Sequence, residues 1–252
     1  MYTFLYAPIL VLIMYSFNNS KLMSKWSGFT FKWYVELFKS TEILNALKVT
    51  LSIAILTTII STTIGTFAAV GLYSMSKKKR NLILNINYIP ILNPDIVIAV
   101  SLMVLYKSIN AFILKYLNIS FEFGFWTLLF SHIAFTIPYV VLSVLPKLSQ
   151  MNKYLYEAAT DLGAHPFYAF RKIILKEIMP GVFTGALLSF TLSIDDFVVS
   201  FFTTGHGYAN LSTKIFSMAR KGINPSINAL STILFVVMIV LVLIISIRTK
   251  ED

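Results

Sequence analysis

Long apolar runs separated by short polar segments are the dominant pattern along this 252-residue chain. The four clearest runs are residues 46–73, 125–146, 181–204 and 229–247. A fifth run, 82–106, contains two prolines, and a shorter sixth covers residues 2–17. A helix needs about 20 apolar residues to cross roughly 30 Å of hydrocarbon. The pattern therefore predicts an all-α integral membrane protein with six transmembrane helices.

The first run also resembles a secretory signal peptide in length. A signal peptide needs a basic start and a cleavage site of small residues, and Phe17-Asn18-Asn19-Ser20 is a poor cleavage site. We therefore interpret the run as a membrane span. The predicted organisation is a first helix with its outer loop in residues 1–45, followed by a five-helix core in 46–252 that carries an inner segment at 147–180.

Small residues recur every fourth position in two of the predicted spans. They are Ser61, Gly65 and Ala69 in one span and Gly181, Gly185 and Ser189 in another. Such spacing lets helix backbones approach closely in lipid. It indicates a packed bundle and says nothing of what the bundle does.

Basic residues give the predicted orientation. They divide almost equally between the two sides, but four of them form the run 77–80 in a very short loop. By the positive-inside rule, this loop lies in the cytoplasm, with both termini on the same side. A basic membrane protein needs no nucleic-acid partner to explain its formal charge of +10.

Composition excludes several kinds of site. The chain has no cysteine, which excludes disulfides and thiolate metal sites. His132, His165 and His206 are far apart in sequence, so packing or surface hydrogen bonds explain them better than a metal does. No glycine opens a Walker A loop, so the chain cannot hydrolyse ATP in that way. We expect no catalytic residue, metal or cofactor.

The segment between the runs 125–146 and 181–204 has helix-forming and helix-ending signals. Residues 152–162 predict a short helix, which Gly163 ends, and Pro166 suits the first turn of a second helix. The residues expected to pack the first helix are Tyr154, Leu155 and Leu162. Those of the second helix that can face the membrane domain are Phe167, Phe170, Ile173 and Ile174. From the residues alone, the segment could also be an amphipathic connection at the membrane surface.

The spacing Glu157-Ala158-Ala159, Gly163, Ile173 and Leu175 resembles the EAA coupling loop of binding-protein-dependent ABC importer permeases. The resemblance implies a type I ABC importer permease fold and a cytoplasmic loop that docks on a separate ATPase. The ATPase-coupling contacts that it implies fall on Glu157, Ala158, Ala159, Asp161 and Gly163. The family usually has proline after the leucine, whereas Lys176 stands there in this chain.

Further segments are similar to the PotC-type permeases of spermidine/putrescine importers. They include Asn18-Asn19-Ser20, Asn93-Pro94-Asp95, Ser131-His132 and residues 188–196. The resemblance implies several partners: a second homologous permease subunit, an ATP-binding ATPase dimer and an extracytoplasmic substrate-binding protein. It also implies a polyamine substrate, membrane lipid around the spans and a place in the bacterial inner membrane.

Three aspartates point to a cationic substrate independently of the resemblance. Asp95, Asp195 and Asp196 lie within apolar runs, where a carboxylate costs roughly 2.5 to 3.5 kcal/mol. Counted along two outward-running spans, Asp95 and Asp195 fall at a similar depth. Asp195 and Asp196 would point about 100° apart on one helix, so we expect one of them to face the pathway and the other a neighbouring helix. We expect these carboxylates to line the substrate pathway, or else to pair with donors within the bundle.

Other functions fit the aspartates less well. An intramembrane aspartyl protease also uses two carboxylates, but Asp195 lacks the glycine pattern of those enzymes. A proton-coupled secondary transporter would leave the segment 157–163 without a purpose. A permease for another small solute stays open, because the residues specify the substrate only by its charge.

Overall fold

The computed structural model describes residues 2–20, 25–152, 154–205, 207–220 and 225–250. Within these ranges the chain forms helices and no β-strand. In chain order the helices are α1 Tyr2–Ser16, α2 Lys32–Lys39, α3 Thr41–Ser74, α4 Lys77–Leu92, α5 Asp95–Leu117, α6 Phe125–Gln150, α7 Tyr154–Asp161, α8 Pro166–Ala169, a π-helical turn Phe170–Ile174, α9 Leu175–Asp195, α10 Val198–Thr203, α11 Leu211–Arg220 and α12 Pro225–Lys250. The predicted all-α class is confirmed.

In the described part of the chain, four helical segments are long and apolar enough to cross a membrane. They are Thr41–Ser74, Asp95–Leu117, Phe125–Gln150 and Phe167–Asp195. Two apolar segments in the first and last helices, Tyr6–Ser16 and Pro225–Val237, are shorter. The predicted count of six spans is therefore not confirmed by this criterion and stays a prediction.

Two of the predicted spans are broken rather than continuous. The run 82–106 is divided between α4 and α5, where Asn93 and Pro94 take extended ψ angles of 144° and 138°. Proline causes this break, because it lacks an N–H and disfavours helical geometry in the residue before it. The run 181–204 breaks after Asp195. The basic residues 77–80 form the first turn of α4 instead of the predicted loop.

The centre of the bundle consists of α3, α6 and α9, which pack through the predicted small residues. The hydroxyls of Ser61 and Ser189 share a hydrogen bond of 2.7 Å between α3 and α9. A Cβ added to Gly65 would lie 2.7 Å from a side-chain carbon of Val140 on α6. One added to Gly185 would lie 3.1 Å from the Cα atom of the same valine. The small residues therefore permit close backbone contact, as their spacing predicts.

Buried clusters show how the helices run relative to one another. At one end of the bundle, Leu72 of α3 and Leu148 of α6 pack with Ile178 of α9. At the other end, Ile53 of α3 packs with Leu128 of α6. Helices α3 and α6 therefore run in the same direction and α9 runs against them. The segments that follow α3 and α6, residues 77–80 and the segment around α7, lie at the same end.

Helix α2 and the last two helices lie at the opposite end. Trp33 of α2 packs in a buried cluster with Ile43 of α3, Leu211 of α11 and Ala229 of α12. The Trp33 indole donates a 2.7 Å hydrogen bond to the Asn18 carbonyl, just after α1. Helix α1 thus ends, and α12 begins, at the end of the bundle away from α7.

Candidate functional site

The two helix breaks meet at one cavity of about 280 Å³. It is bounded by residues from the α4–α5 break, from the middle of α6 and from the α9–α10 break. Its lining comprises Pro90, Asp95, Ile98, Phe135, Tyr139, Thr191, Leu192, Asp195, Asp196, Phe197, Val198 and Val199. The structure therefore brings all three predicted aspartates to the same cavity, although they lie up to about a hundred residues apart in sequence.

Asp95 is the first residue of α5, after Pro94. Its carboxylate is exposed and, among the described residues, has no hydrogen-bond or ion-pair partner. The positive end of a helix dipole stabilises a carboxylate in the first turn. Asp95 therefore has a favourable local place and remains free to meet a cation in the cavity.

Asp195 occupies the opposite kind of position, because it is the last residue of α9. Its carboxylate is exposed to the cavity and also has no hydrogen-bond or ion-pair partner in the described part of the chain. The negative end of a helix dipole disfavours a carboxylate at this position. Asp195 is thus an unpaired anion in a locally unfavourable place, which a cation in the cavity would stabilise.

Asp196 also borders the cavity, but hydrogen bonds within the bundle hold its carboxylate. One carboxylate oxygen accepts from the Val199 N–H at 3.1 Å. The other accepts from the Ser200 N–H and the Ser200 hydroxyl, both at 2.7 Å. The predicted separation of about 100° on one helix is wrong, because α9 ends at Asp195 and Asp196 has an extended ψ of 123°. The carboxylate of Asp196 instead caps the beginning of α10.

His132 on α6 completes this arrangement. Its Nδ1 lies 2.7 Å from the Ser193 hydroxyl, and its Nε2 lies 3.0 Å from the Ser200 hydroxyl and 3.5 Å from the Asp196 carboxylate. The ring is 1% exposed, so it serves as a buried hydrogen-bonding group, in line with the prediction. The described residues contain no group of three His, Cys, Asp or Glu side chains that could hold a metal.

The other two histidines contribute nothing to the cavity in the described structure. His165 accepts a hydrogen bond from the Phe167 N–H at its Nδ1, at 3.3 Å and on the surface. His206 lies outside the described residues.

Sequence reasoning missed the aromatic and hydroxyl residues of the cavity. Phe135 and Tyr139 are one turn apart on α6, and Thr191 is one turn before Asp195 on α9. Sequence reasoning also missed the cap formed by Asp196, because this cap depends on where α9 ends. No local signal connects His132 with that cap, because the two lie 64 residues apart in sequence.

A second candidate site is the helix α7 and the turn that ends it. Gly163 has a left-handed φ of +84°. The N–H of Ala164 donates to the Ala159 carbonyl at 3.0 Å, and that of Gly163 donates to the Thr160 carbonyl at 2.9 Å. These two bonds form a Schellman motif, which glycine favours because it has no Cβ. The prediction that Gly163 ends the helix is confirmed.

The residues of α7 divide into an outer and an inner face. Glu157, Ala158 and Asp161 are exposed, whereas Ala159 is buried. The prediction that Tyr154 and Leu162 pack against the protein is wrong in this chain, since they are 60% and 89% exposed. The helix therefore presents a mixed apolar and acidic surface, which is suited to a protein partner.

The predicted second helix is not a separate element on the membrane surface. Helix α8 leads through the π-helical turn directly into α9, and the apolar segment is continuous from Phe167 to Asp195. Phe170 stacks on Phe67 of α3 at 6.2 Å, and Ile174 packs against the buried cluster of α3, α6 and α9. Phe167 is 67% exposed, contrary to its predicted contact with the membrane domain. A displacement of α7 would reach the cavity through one continuous helix.

Comparison with known proteins identifies the family. Residues 61–249 match the family described as binding-protein-dependent transport system inner membrane component. The chain is 42% identical over 242 residues to the spermidine/putrescine transport system permease protein PotC of Escherichia coli (strain K12), over 96% of this chain and 88% of that protein. It is 36% identical over 234 residues to the putrescine transport system permease protein PotI of the same strain, over 92% and 82%.

A solved structure has the same fold. A chain of a bacterial ABC transporter involved in the import of the acidic polysaccharide alginate superposes with a TM-score of 0.75, at 20% identity, over 98% of this chain and 90% of that chain. At that identity the likeness concerns the fold alone, which is the type I ABC importer permease fold. This protein is therefore a member of the family of binding-protein-dependent transport system inner membrane components, a transport subunit and not an enzyme.

Proposed function

We propose that this chain is the permease subunit of an ATP-driven importer of the polyamines spermidine and putrescine. The observation that carries the proposal is the unpaired Asp195 carboxylate at the end of α9, in the same cavity as Asp95. A carboxylate within a membrane protein marks a pathway for a charged solute. Two carboxylates on different walls suit a flexible substrate with an ammonium group at each end.

The aromatic lining supports a cation over a neutral solute. Phe135, Tyr139 and Phe197 border the cavity together with the two free carboxylates. Aromatic faces attract ammonium groups and also contact the methylenes between them. The names of the two relatives, PotC and PotI, support the same substrate class. We assign Asp195 and Asp95 to the pathway, and Asp196 to the wall that supports it.

The membrane subunit acts with partners. We propose a second homologous permease, a dimer of ATP-binding ATPase subunits and an extracytoplasmic binding protein that delivers the polyamine. The permease core is residues 46–252, to which residues 1–45 add the first helix and the outer loop. Both termini lie in the cytoplasm of a bacterium, and lipid surrounds the exposed apolar helices of the inner membrane.

The segment around α7 couples the ATPase to the membrane helices. Glu157, Ala158 and Asp161 are exposed for contact with the ATPase, while Ala159 packs inward and Gly163 holds the turn. We propose that movement of the ATPase displaces α7. The continuous segment Phe167–Asp195 transmits the displacement to Asp195, at its far end.

Uptake by cells that contain the complete importer tests the substrate and its pathway. Asp195→Asn keeps the size of the side chain and removes its charge, so we expect radiolabelled spermidine uptake per assembled complex to fall about tenfold or more, because the pathway loses a carboxylate that attracts the cation. Asp95→Asn should reduce uptake less. Glu122→Gln removes one exposed carboxylate outside the cavity and should leave uptake unchanged.

Competition separates the polyamines from other small solutes. Unlabelled putrescine should compete with labelled spermidine, whereas butane-1,4-diol, which has hydroxyls in place of the ammonium groups, should not. Wild-type uptake by Asp195→Asn and Asp95→Asn would exclude the cavity as the cation pathway. Equal competition by the diol would exclude a cationic substrate.

A further inference from the structure

Five polar residues form one buried network beside the cavity, which we call the His132 node. Its members are His132, Ser193, Asp196, Ser200 and Asn210. The Asn210 amide nitrogen donates to the Ser200 hydroxyl at 2.7 Å and to the Asp196 carbonyl at 3.2 Å. Four of the five residues are at most 3% exposed. The node joins α6, α9, α10 and the segment before α11.

The donors and acceptors of the node fit together in one way when Asp196 is ionised. The Ser200 hydroxyl has one proton, which it donates to Asp196. It must therefore accept from both the Asn210 amide and His132 Nε2, so Nε2 carries a proton. A neutral imidazole then accepts the Ser193 hydroxyl proton at Nδ1. Each of these polar groups of the node has a partner, which is the condition for a polar network to be stable when buried.

The node holds the chain on both sides of Asp195. Ser193 lies two residues before it and Asp196 one residue after it, and both are tied to His132 or to its partner Ser200. The backbone carbonyl of Asp196 is also held, by Asn210. Asp195 is thus the single residue of this stretch whose carboxylate faces the cavity without a described partner.

We infer that His132 is a positioning residue for Asp195. The ring fixes where α9 ends, and the end of α9 fixes the direction of the Asp195 carboxylate. His132 itself does not line the cavity. This inference rests on the proposed function where it concerns transport, but the position of residue 195 can be measured independently of any substrate.

Thiol labelling measures that position. Because the chain has no cysteine, Asp195→Cys introduces a single reactive group. A water-soluble cationic methanethiosulfonate should label it in the assembled complex, with the rate followed as the mass increase of this chain. His132→Leu in the same chain should change the rate by about tenfold, the size of coupling within one hydrogen-bond network. Ser200→Ala, which removes the shared hydroxyl, should change it in the same direction.

The matched control is Ser61→Ala. It removes the hydrogen bond of 2.7 Å to Ser189. Like Ser193, Ser189 lies on α9 and is buried, but it is away from the break after Asp195. The labelling rate of Asp195→Cys should not change in this background. Equal rates with and without His132→Leu would overturn the inference. So would an equal change with Ser61→Ala, because it would show a general response of α9 to lost packing.

A double-variant cycle connects the position to transport. His132→Leu should lower spermidine uptake per assembled complex in the wild-type background and have little further effect in the Asp195→Asn background. Additive losses would contradict a role through Asp195. If Asp195→Asn transports normally while the labelling rates still change, the polyamine pathway is wrong and the positioning by His132 stands. The two ideas can therefore fail separately.

Discussion

At the scale of single residues, Gly65 lets α3 pack closely against Val140 of α6. A Cβ at position 65 would lie 2.7 Å from two side-chain carbons of Val140, which is closer than non-bonded carbon atoms approach each other in proteins. Val140 is fully buried and also lies against Gly185. One valine thus fixes the distance of α6 from both α3 and α9.

Gly65→Val should therefore push α3 away from α6. We expect a destabilisation of about 1–3 kcal/mol, typical of overpacking, measured as a lower melting temperature of the purified complex in detergent. Gly71→Val is the matched control, because it lies on the same helix with nothing within 4 Å of its added Cβ. If both variants melt at the wild-type temperature, the contact between α3 and α6 is looser than the structure indicates.

Two neighbouring residues show how far sequence could predict the site. Charge and hydropathy identified Asp195 and Asp196 as unusual, but not which of the two is free or that the other is a cap. That difference depends on where α9 ends, which in turn depends on His132 in another helix. The sequence shows that a carboxylate lies in an apolar run, where its burial costs free energy. It does not show which hydrogen-bond donors offset that cost, because the fold brings them together.

At the scale of helices, the turn after α7 determines the direction in which the chain leaves the candidate ATPase contact. Here the sequence was sufficient, because a Schellman motif uses a local glycine and two local hydrogen bonds. The breaks in two spans were harder to predict. Pro94 was a visible cause of the first, but residues 195–197 contain no proline or glycine to mark the second.

Gly163→Val should disrupt the turn without creating a clash, since nothing lies within 4 Å of an added Cβ. A left-handed conformation costs a non-glycine residue about 1–2 kcal/mol, which corresponds to a roughly 5- to 30-fold change in population. We expect a similar loss of polyamine uptake and of stimulated ATPase activity, with normal amounts of the chain in the membrane.

Ala164→Val places the same side chain one position later, where the backbone does not have a positive φ. This variant should retain normal polyamine uptake and normal stimulated ATPase activity. Wild-type coupling by Gly163→Val would mean that the docking of α7 does not require the observed turn. Failure of both variants would point to the size of the side chain at the ATPase contact instead.

At the scale of the whole molecule, the packing of the helices links the membrane side of the basic residues 77–80 to that of α7. Because α3 and α6 run in the same direction, the basic residues 77–80 and the helix α7 lie at one end of the bundle. Helix α2, with Trp33, lies at the other end. Whichever side of the membrane holds residues 77–80 therefore also holds the candidate ATPase contact, and the positive-inside rule favours the cytoplasm.

Cysteine accessibility in intact cells tests this orientation. Ser27 and Ser76 are exposed at opposite ends of the bundle, and the chain has no cysteine of its own. The Ser27 backbone N–H, not its side chain, donates to Asn18, and the Ser76 side chain makes no capping hydrogen bond. Either serine can therefore be replaced with little effect on the fold.

A membrane-impermeant thiol reagent should label Ser27→Cys and leave Ser76→Cys unlabelled. After permeabilisation the reagent should label both variants to a similar extent, which controls for intrinsic reactivity. The reverse pattern in intact cells would place α7 outside the cell, where no ATP is available to a partner, and would reject the ATP-driven importer together with the orientation. Labelling of both sites in intact cells would contradict the packing, because the two sites lie at opposite ends of one bundle.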